Sequence, residues 1–268
     1  MAISPAAQQP IVERAAISLP SVWAELDGLT IAQLSDLHYD RRVDPAPIEQ
    51  AISLTNALRP DLVVLTGDFL TVRVLGNGLR PAEDSRTCAH ILGRLHTRLG
   101  IFAVLGNHDC THPGAVIQAL ENQGIAVLHN RTRAVEQGGG RLWIAGVEDV
   151  LTGHPDLDGA LRGVSEDEPT ILLAHEPDFA DVAAGSSITL QLSGHTHGGQ
   201  VRFPLMGAPY VPPLGRKYPR GLRRVGPLVL YTNRGIGTSL LPIRFNCPPE
   251  ITLFMLRSPS LECASGLD

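Results

Sequence analysis

The stretch Ile188–Gly199, ITLQLSGHTHGG, runs six strand-forming residues directly into two histidines flanked by three glycines. A short apolar run bounded by glycine reads as a buried strand. Polar side chains just beyond its carboxyl end stand where α/β sheets place their ligands. The same device recurs upstream. Leu29–Ser35 leads into Asp36-Leu37-His38, Leu62–Thr66 into Gly67-Asp68, Ile101–Leu105 into Gly106-Asn107-His108-Asp109, and Thr170–Ala174 into His175. Five strands delivering acids, imidazoles and one amide to a single sheet edge describe a built site.

Further strand-like runs are Ile125–His129, Leu142–Gly146, Leu228–Thr232 and Glu250–Leu256. Between them lie helix-period segments. Pro47–Leu58 puts Ile48, Ala51, Ile52, Thr55 and Leu58 on one face, with Asp44 and Pro45 as a start signal. Cys88–Leu99, Pro113–Asn122 and Pro177–Ala183 show weaker periodicity. Strands alternating with helices predict an α/β chain, in the form of a layered α-β-β-α sandwich. Residues 1–27 read as a lead-in, 28–257 as the core of one domain, and 258–268 as a frayed tail.

Composition sets the outer bounds. The chain has 268 residues, 43% hydrophobic and 18% charged, too apolar for disorder. A net charge of −5 argues against a broad nucleic-acid face, so no nucleic-acid partner is expected. Cys88, Cys110, Cys247 and Cys263 show no C-x-x-C spacing and read as reduced thiols, which predicts a cytoplasmic setting. Neither a signal peptide nor a membrane-spanning stretch is evident.

Imidazole, carboxylate and amide without thiolate suit divalent transition metals such as Mn, Fe, Zn or Ni. Asp36, His38, Asp68, Asn107, His175, His195 and His197 make seven candidate ligands. One ion with open positions does not need so many; two ions do, if one carboxylate bridges them.

The ordered blocks D-x-H, G-D, G-N-H-D, a lone H and G-H-x-H resemble the calcineurin-like metallophosphoesterases across residues 30–200. The tail motifs Gly235–Thr238 (G-x-G-T), Pro242–Phe245 (P-x-R-F) and Pro249–Ile251 (P-E-I) resemble the bacterial branch of YkuE- and YaeI-like phosphodiesterases. The resemblance implies the metallo-dependent phosphatase fold, two mixed β-sheets flanked by helices. It implies that Asp36, His38 and His197 hold one divalent ion, that Asn107, His175 and His195 hold the other, and that Asp68 bridges them. A hydroxide between the ions would then attack a phosphodiester or pyrophosphate bond. His108 would face the substrate beside Asn107 as general acid, oriented by Asp109. Cys110 departs from the aromatic residue frequent after this block and leaves the ligand set intact.

Several readings stay open. The non-catalytic alternative is a scaffold of the same fold. His90, His96, His112, His129 and His154 match no block and read as surface histidines. The cations Arg216, Lys217, Arg220, Arg223 and Arg224 are either a solvated turn or a steering patch for an anionic substrate or an acidic membrane face. Phe203, Leu205, Met206, Tyr210, Val211 and Leu214, with Leu240, Leu241 and Ile243, either pack a loop down or form a rim for an acyl chain. In the second case the substrate would be lipid-linked, such as a UDP-diacylglucosamine-type pyrophosphate, and the protein peripheral to the inner membrane face. In the first it would be a soluble phosphorylated small molecule.

Overall fold

The computed structural model describes residues 9–71 and 81–258. In chain order the strands are β1 Ile11–Ser18, β2 Thr30–Leu34, β3 Leu62–Leu65, β4 Ile101–Ala103, β5 Ala126–Val127, β6 Arg131–Gln137, β7 Gly140–Gly146, β8 Thr170–Leu173, β9 Leu190–Ser193, β10 Gly221–Val225, β11 Leu228–Thr232 and β12 Glu250–Arg257. The α-helices are α1 Ala46–Leu58, α2 Pro81–Leu92, α3 Pro113–Glu121, α4 Leu157–Ala160 and α5 Ala180–Ala183. Two six-stranded mixed sheets result, in the orders β1-β12-β2-β3-β4-β5 and β10-β11-β9-β8-β7-β6.

Residue alternation builds the layers. In β3, Leu62 and Val64 join Ile31, Ile171, Leu173, Leu190 and Leu192 in an apolar core fed by both sheets. Val63 and Leu65 point the other way and pack with Ile48, Ile52, Leu92 and Leu120 of the helices. Across the molecule Leu172 packs with Ala180 and Ala183 of α5. Strands buried on both faces are what turn β2, β3, β8 and β9 into the continuous apolar runs visible in the sequence. The result is two mixed sheets flanked by helices, as expected. Gln33 is one of the polar residues between the sheets: its Nε2 donates to Thr66 Oγ1 on its own sheet and to Ser193 O on the other, both at 3.0 Å.

Three strands escaped the sequence reading. β1 lies inside the supposed lead-in and pairs parallel with β12 from Ile11 to Ser18. β6 pairs antiparallel with β7, and β10, in the supposed loop of cations, pairs antiparallel with β11. All three are edge strands, where one face and one backbone edge meet water and charged residues belong. That is why Glu13, Arg14, Arg131, Arg133, Glu136, Arg223 and Arg224 hid them. α2 is also corrected: it starts at Pro81, with Glu83 and Asp84 in its first turn, and ends at Leu92, seven residues earlier at each end than its apolar spacing suggested. The helix expected at Pro177–Ala183 is a 3-10 turn, Pro177–Phe179, followed by the single turn of α5. Cys88, Cys110 and Cys247 are free thiols; Cys263 and the tail beyond Ser258 lie outside the described residues. Among the described residues no helix is long and apolar enough to cross a membrane.

Candidate metal centre

Parallel order fixes where the strands end. β2, β3 and β4 run side by side in one sheet and β8 and β9 in the other, so their carboxyl ends rise to the same edge. The turns that follow are sharp. Asp36, His38, Asp68, His195 and His197 all adopt left-handed backbone, with φ of 51°, 48°, 55°, 68° and 51°. Non-glycine residues in this region cost conformational energy and persist where the surroundings dictate them. Here the reward is inward aim: these five side chains are buried.

Glycines allow the loops to close. Gly67, at φ 92°, leaves no room for a Cβ, which would fall 2.5 Å from Gly106 N and 2.8 Å from His175 Nδ1. A Cβ on Gly194 would overlap Ser35 Oγ and Asp36 Oδ2. The first and last blocks of the sequence meet across this gap, and both oxygens of Asp36 accept the His195 N–H at 3.0 and 3.1 Å.

Asp68 occupies the middle. Its Oδ2 lies 3.5 Å from His38 Nε2 and 3.4 Å from His175 Nε2, and its Oδ1 accepts the His108 main-chain N–H at 2.9 Å. Three groups have ligand atoms within 4.8 Å of one another: Asp36, His38 and His197; His38, Asp68 and His108; Asp68, His175 and His195. Asp68 and His38 are shared between groups, so the donors form one continuous cluster. Asn107, the residue before His108, has its Oδ1 buried without a hydrogen-bond partner, as has His175 at Nε2. Orphaned buried acceptors are costly unless something electropositive meets them.

The imidazoles are held in metal-ready states. His175 Nδ1 contacts Thr66 O at 2.6 Å, so it carries a proton and turns Nε2 toward Asp68, where a metal ion would displace the second proton. His195 Nε2 donates to Pro213 O at 2.9 Å, which frees Nδ1. His38 Nε2 and His197 Nε2 face each other at 2.9 Å, so at most one proton fits between them. Burial lowers His38 to about 3 and His195 to about 4, and it lowers His197 well below 6.5, where the charge on His38 and Arg244 adds to the effect. His175 goes the other way: burial opposes its charge, but Asp68 outweighs burial and raises it well above 6.5. Asp68 in turn is held well below 3.8, where His175 and His38 overcome burial. Burial raises Asp36 to about 6, opposed by His175 and reinforced by Asp68. Buried carboxylates crowding neutral lone pairs form a cavity that divalent cations would satisfy, and the donor set fits two of them.

His108 stands half-buried at the mouth, its ring edge-on to His38 with centroids 4.7 Å apart. Asp109 is fully buried, and its hydrogen bonds come from main chain: Phe69 N and Leu70 N donate to Oδ1 at 2.9 and 3.1 Å, Gly106 N to Oδ2 at 3.0 Å. It clamps the Asp68 loop to the Asn107 turn, a role the sequence reading did not assign. His90, His96, His112, His129 and His154 are all exposed.

Two supports had no role assigned from the sequence, although one of them, Arg244, is the arginine of the P-x-R-F motif. Arg244, 6% exposed, donates from Nε to Gly237 O, from Nη1 to Cys247 O and from Nη2 to Arg234 O and Gly237 O, and its Nη2 lies 3.3 Å from His197 Nδ1. Glu176, next to His175, is buried against Asp149, and Glu176 Oε1 and Asp149 Oδ2 lack a donor unless one carboxyl keeps a proton. Burial, opposed by His175 and aided by the bond to Asp149, raises Glu176 to about 8. An arginine between Ile243 and Phe245, and a glutamate after an apolar run, were the available signals.

Known proteins echo this arrangement. The family model for calcineurin-like phosphoesterases matches residues 29–199. The uncharacterized metallophosphoesterase YkuE of Bacillus subtilis is 35% identical over 237 residues, covering 87% of this chain and 80% of that protein. Phosphodiesterase YaeI of Escherichia coli is 34% identical over 227 residues, covering 83% and 80%. The UDP-2,3-diacylglucosamine pyrophosphatase LpxG of Chlamydia trachomatis is 27% identical over 299 residues, covering 88% and 86%.

Proposed function

We propose that this chain, which belongs to the calcineurin-like phosphoesterase family, hydrolyses phosphodiester or pyrophosphate bonds at a two-metal centre formed by Asp36, His38, Asp68, Asn107, His175, His195 and His197. The observation that carries the reading is the position of Asp68, whose Oδ2 stands between His38 Nε2 at 3.5 Å and His175 Nε2 at 3.4 Å. A carboxylate within reach of both histidines supports a site that would hold two divalent ions, with Asp68 among the residues holding each. Bound there, divalent cations supply Lewis-acid stabilisation of a phosphoryl group and activation of water.

The chain's own residues would do the rest. Burial keeps His38, His195 and His197 neutral, and Pro213 O takes the His195 proton on Nε2, while His175, held in its charged form by Asp68, would give up its Nε2 proton to a metal ion. His108, half-buried at the mouth and tied to Asp68 through its main chain, delivers a ring N–H proton to the leaving oxygen. Asn107, one residue before it, offers an amide to ligand or substrate. Asp109 keeps this turn and the Asp68 loop in register.

The test is a substrate screen on metal-stripped protein reloaded separately with Mn, Fe, Ni and Zn, using phosphomonoesters, diesters, cyclic nucleotides and lipid-linked pyrophosphates. Diesters or pyrophosphates should be hydrolysed only after loading. Two bound metals with no turnover of any of them would leave a scaffold instead.

A further inference from the structure

Between Asp181 and Glu250 the sequence contains no acidic residue and eight cations: Arg202, Arg216, Lys217, Arg220, Arg223, Arg224, Arg234 and Arg244. The rest of the chain holds the other 14 of the 22 Lys and Arg together with all 27 Asp and Glu. A protein of net charge −5 is therefore sharply divided, with its positive charge concentrated in the segment that borders the metal centre. Within that segment Arg234 is paired with Glu13 and Glu250, Lys217 with Asp181, and Arg244 is buried. Arg202, Arg216, Arg220, Arg223 and Arg224 remain to set the surface potential.

The same segment carries the most exposed apolar side chains. Leu205 is 108% exposed, Met206 79%, Leu240 79% and Leu241 60%. They do not pack their loops down. The two loops are instead fastened to each other beneath the tips: Arg202 N donates to Phe245 O and Phe245 N to Gln200 O, both at 2.9 Å, while the Gln200 side chain bonds Leu241 O and Ser239 N at 2.7 and 2.8 Å. Leu205 and Leu240 both take left-handed backbone, at φ 68° and 61°, where glycine or asparagine would be unstrained. The strain thus holds a leucine outward at the apex of each loop. The first loop begins three residues after His197 and is tied back to the ligand turn, where Arg202 Nη1 donates to Gly198 O at 2.9 Å.

We propose that Leu205–Met206 and Leu240–Leu241 insert into an anionic lipid bilayer, with Arg202, Arg216 and Arg220 at headgroup level, so that the metal centre meets a phosphoester carried by a lipid. The outermost side chains are aliphatic and suit acyl chains, while the rings of the same loops are less exposed and Phe203 and Phe245 lie against each other, their centroids 6.0 Å apart. The rim cations supply attraction to anionic headgroups. The substrate class rests on the phosphoesterase reading; the docking does not.

Flotation of the full chain with vesicles of phosphatidylcholine, alone or with about 30% phosphatidylglycerol, tests the docking. Wild type should float only with the anionic vesicles. The double variant Leu205→Ser/Leu240→Ser should bind them at least about tenfold more weakly while hydrolysing a soluble diester as wild type does. Absence of flotation, flotation undiminished in the double variant, or a concentration-dependent dimer that the variant abolishes would each overturn the proposal. A metal-loaded wild type that floats but cleaves no phosphoester would overturn the enzymatic reading alone.

Discussion

Asp36 accepts the main-chain N–H of His195 through both carboxylate oxygens, at 3.0 and 3.1 Å. The contact joins the end of β2 to the end of β9, and so ties one sheet to the other at the edge where the ligands gather. One carboxylate is both a candidate ligand and an inter-sheet fastener. Those two duties make opposite demands on its charge.

Burial raises Asp36 from 3.8 to about 6, against the pull of His175 and with the push of Asp68. Because the folded-state value is the higher one, its contribution to stability is full below about pH 4 and is lost as pH rises through about 6. Asp36→Asn keeps an oxygen for His195 N–H and removes the charge. Metal-free Asp36→Asn should therefore resist urea better than metal-free wild type at pH 8, by on the order of 1–3 kcal/mol, and match it near pH 4. Its metal affinity should fall by more than about tenfold. A variant less stable than wild type at pH 8 would show that the charge is already compensated without metal.

Asp68→Asn separates the shared ligand from the fold. The amide retains an acceptor for His108 N–H, which now comes to Oδ1 at 2.9 Å, so circular dichroism should be unchanged. Metal content by mass spectrometry should drop below two per chain, and turnover should fall by more than about a hundredfold. Near-normal hydrolysis by the metal-loaded variant would remove Asp68 from the centre of the mechanism.

His108→Ala should leave metal content intact and slow hydrolysis by about 10² to 10⁴. The loss should depend on the leaving group. A nitrophenolate departs without help, so nitrophenyl diesters should suffer least and alkyl diesters most. Equal losses on both would assign His108 to charge stabilisation of the phosphoryl group, not to proton donation.

The clustering of the candidate ligands was legible because each sits within a few residues of a strand that is apolar on both faces. β2, β3 and β9 announce their own ends, and Asp36, Asp68, His195 and His197 follow at once. Edge strands make no such announcement: β1, β6 and β10 carry charges on their wet faces and look like loops. What Asp109 does was illegible for another reason. Its partners Phe69 N, Leu70 N and Gly106 N are main-chain groups, which every residue possesses, so no side-chain pattern marks them. Arg244 was hidden likewise, since its partners are carbonyls brought close by folding.

Arg244 should prove specific for one of the two metals. Its guanidinium serves the carbonyls of Arg234, Gly237 and Cys247 and lies against the His197 ring. The turn it holds then meets the first ligand loop, where Ile236 N donates to Ser35 O at 3.0 Å and Gly237 N to Asp36 O at 2.7 Å. Asp36 and His197 thus share a single support, while His175 and His195 are braced separately, by Thr66 O and Pro213 O. Lysine keeps the charge but cannot span several carbonyls with a planar fork. Arg244→Lys should therefore weaken one metal about 10- to 100-fold and leave the other unchanged, giving a two-step titration in place of near-equal sites. The fold should lose about 1–3 kcal/mol from carbonyls left without donors. Equal weakening of both metals, or none with the same loss of stability, would make Arg244 a structural arginine only.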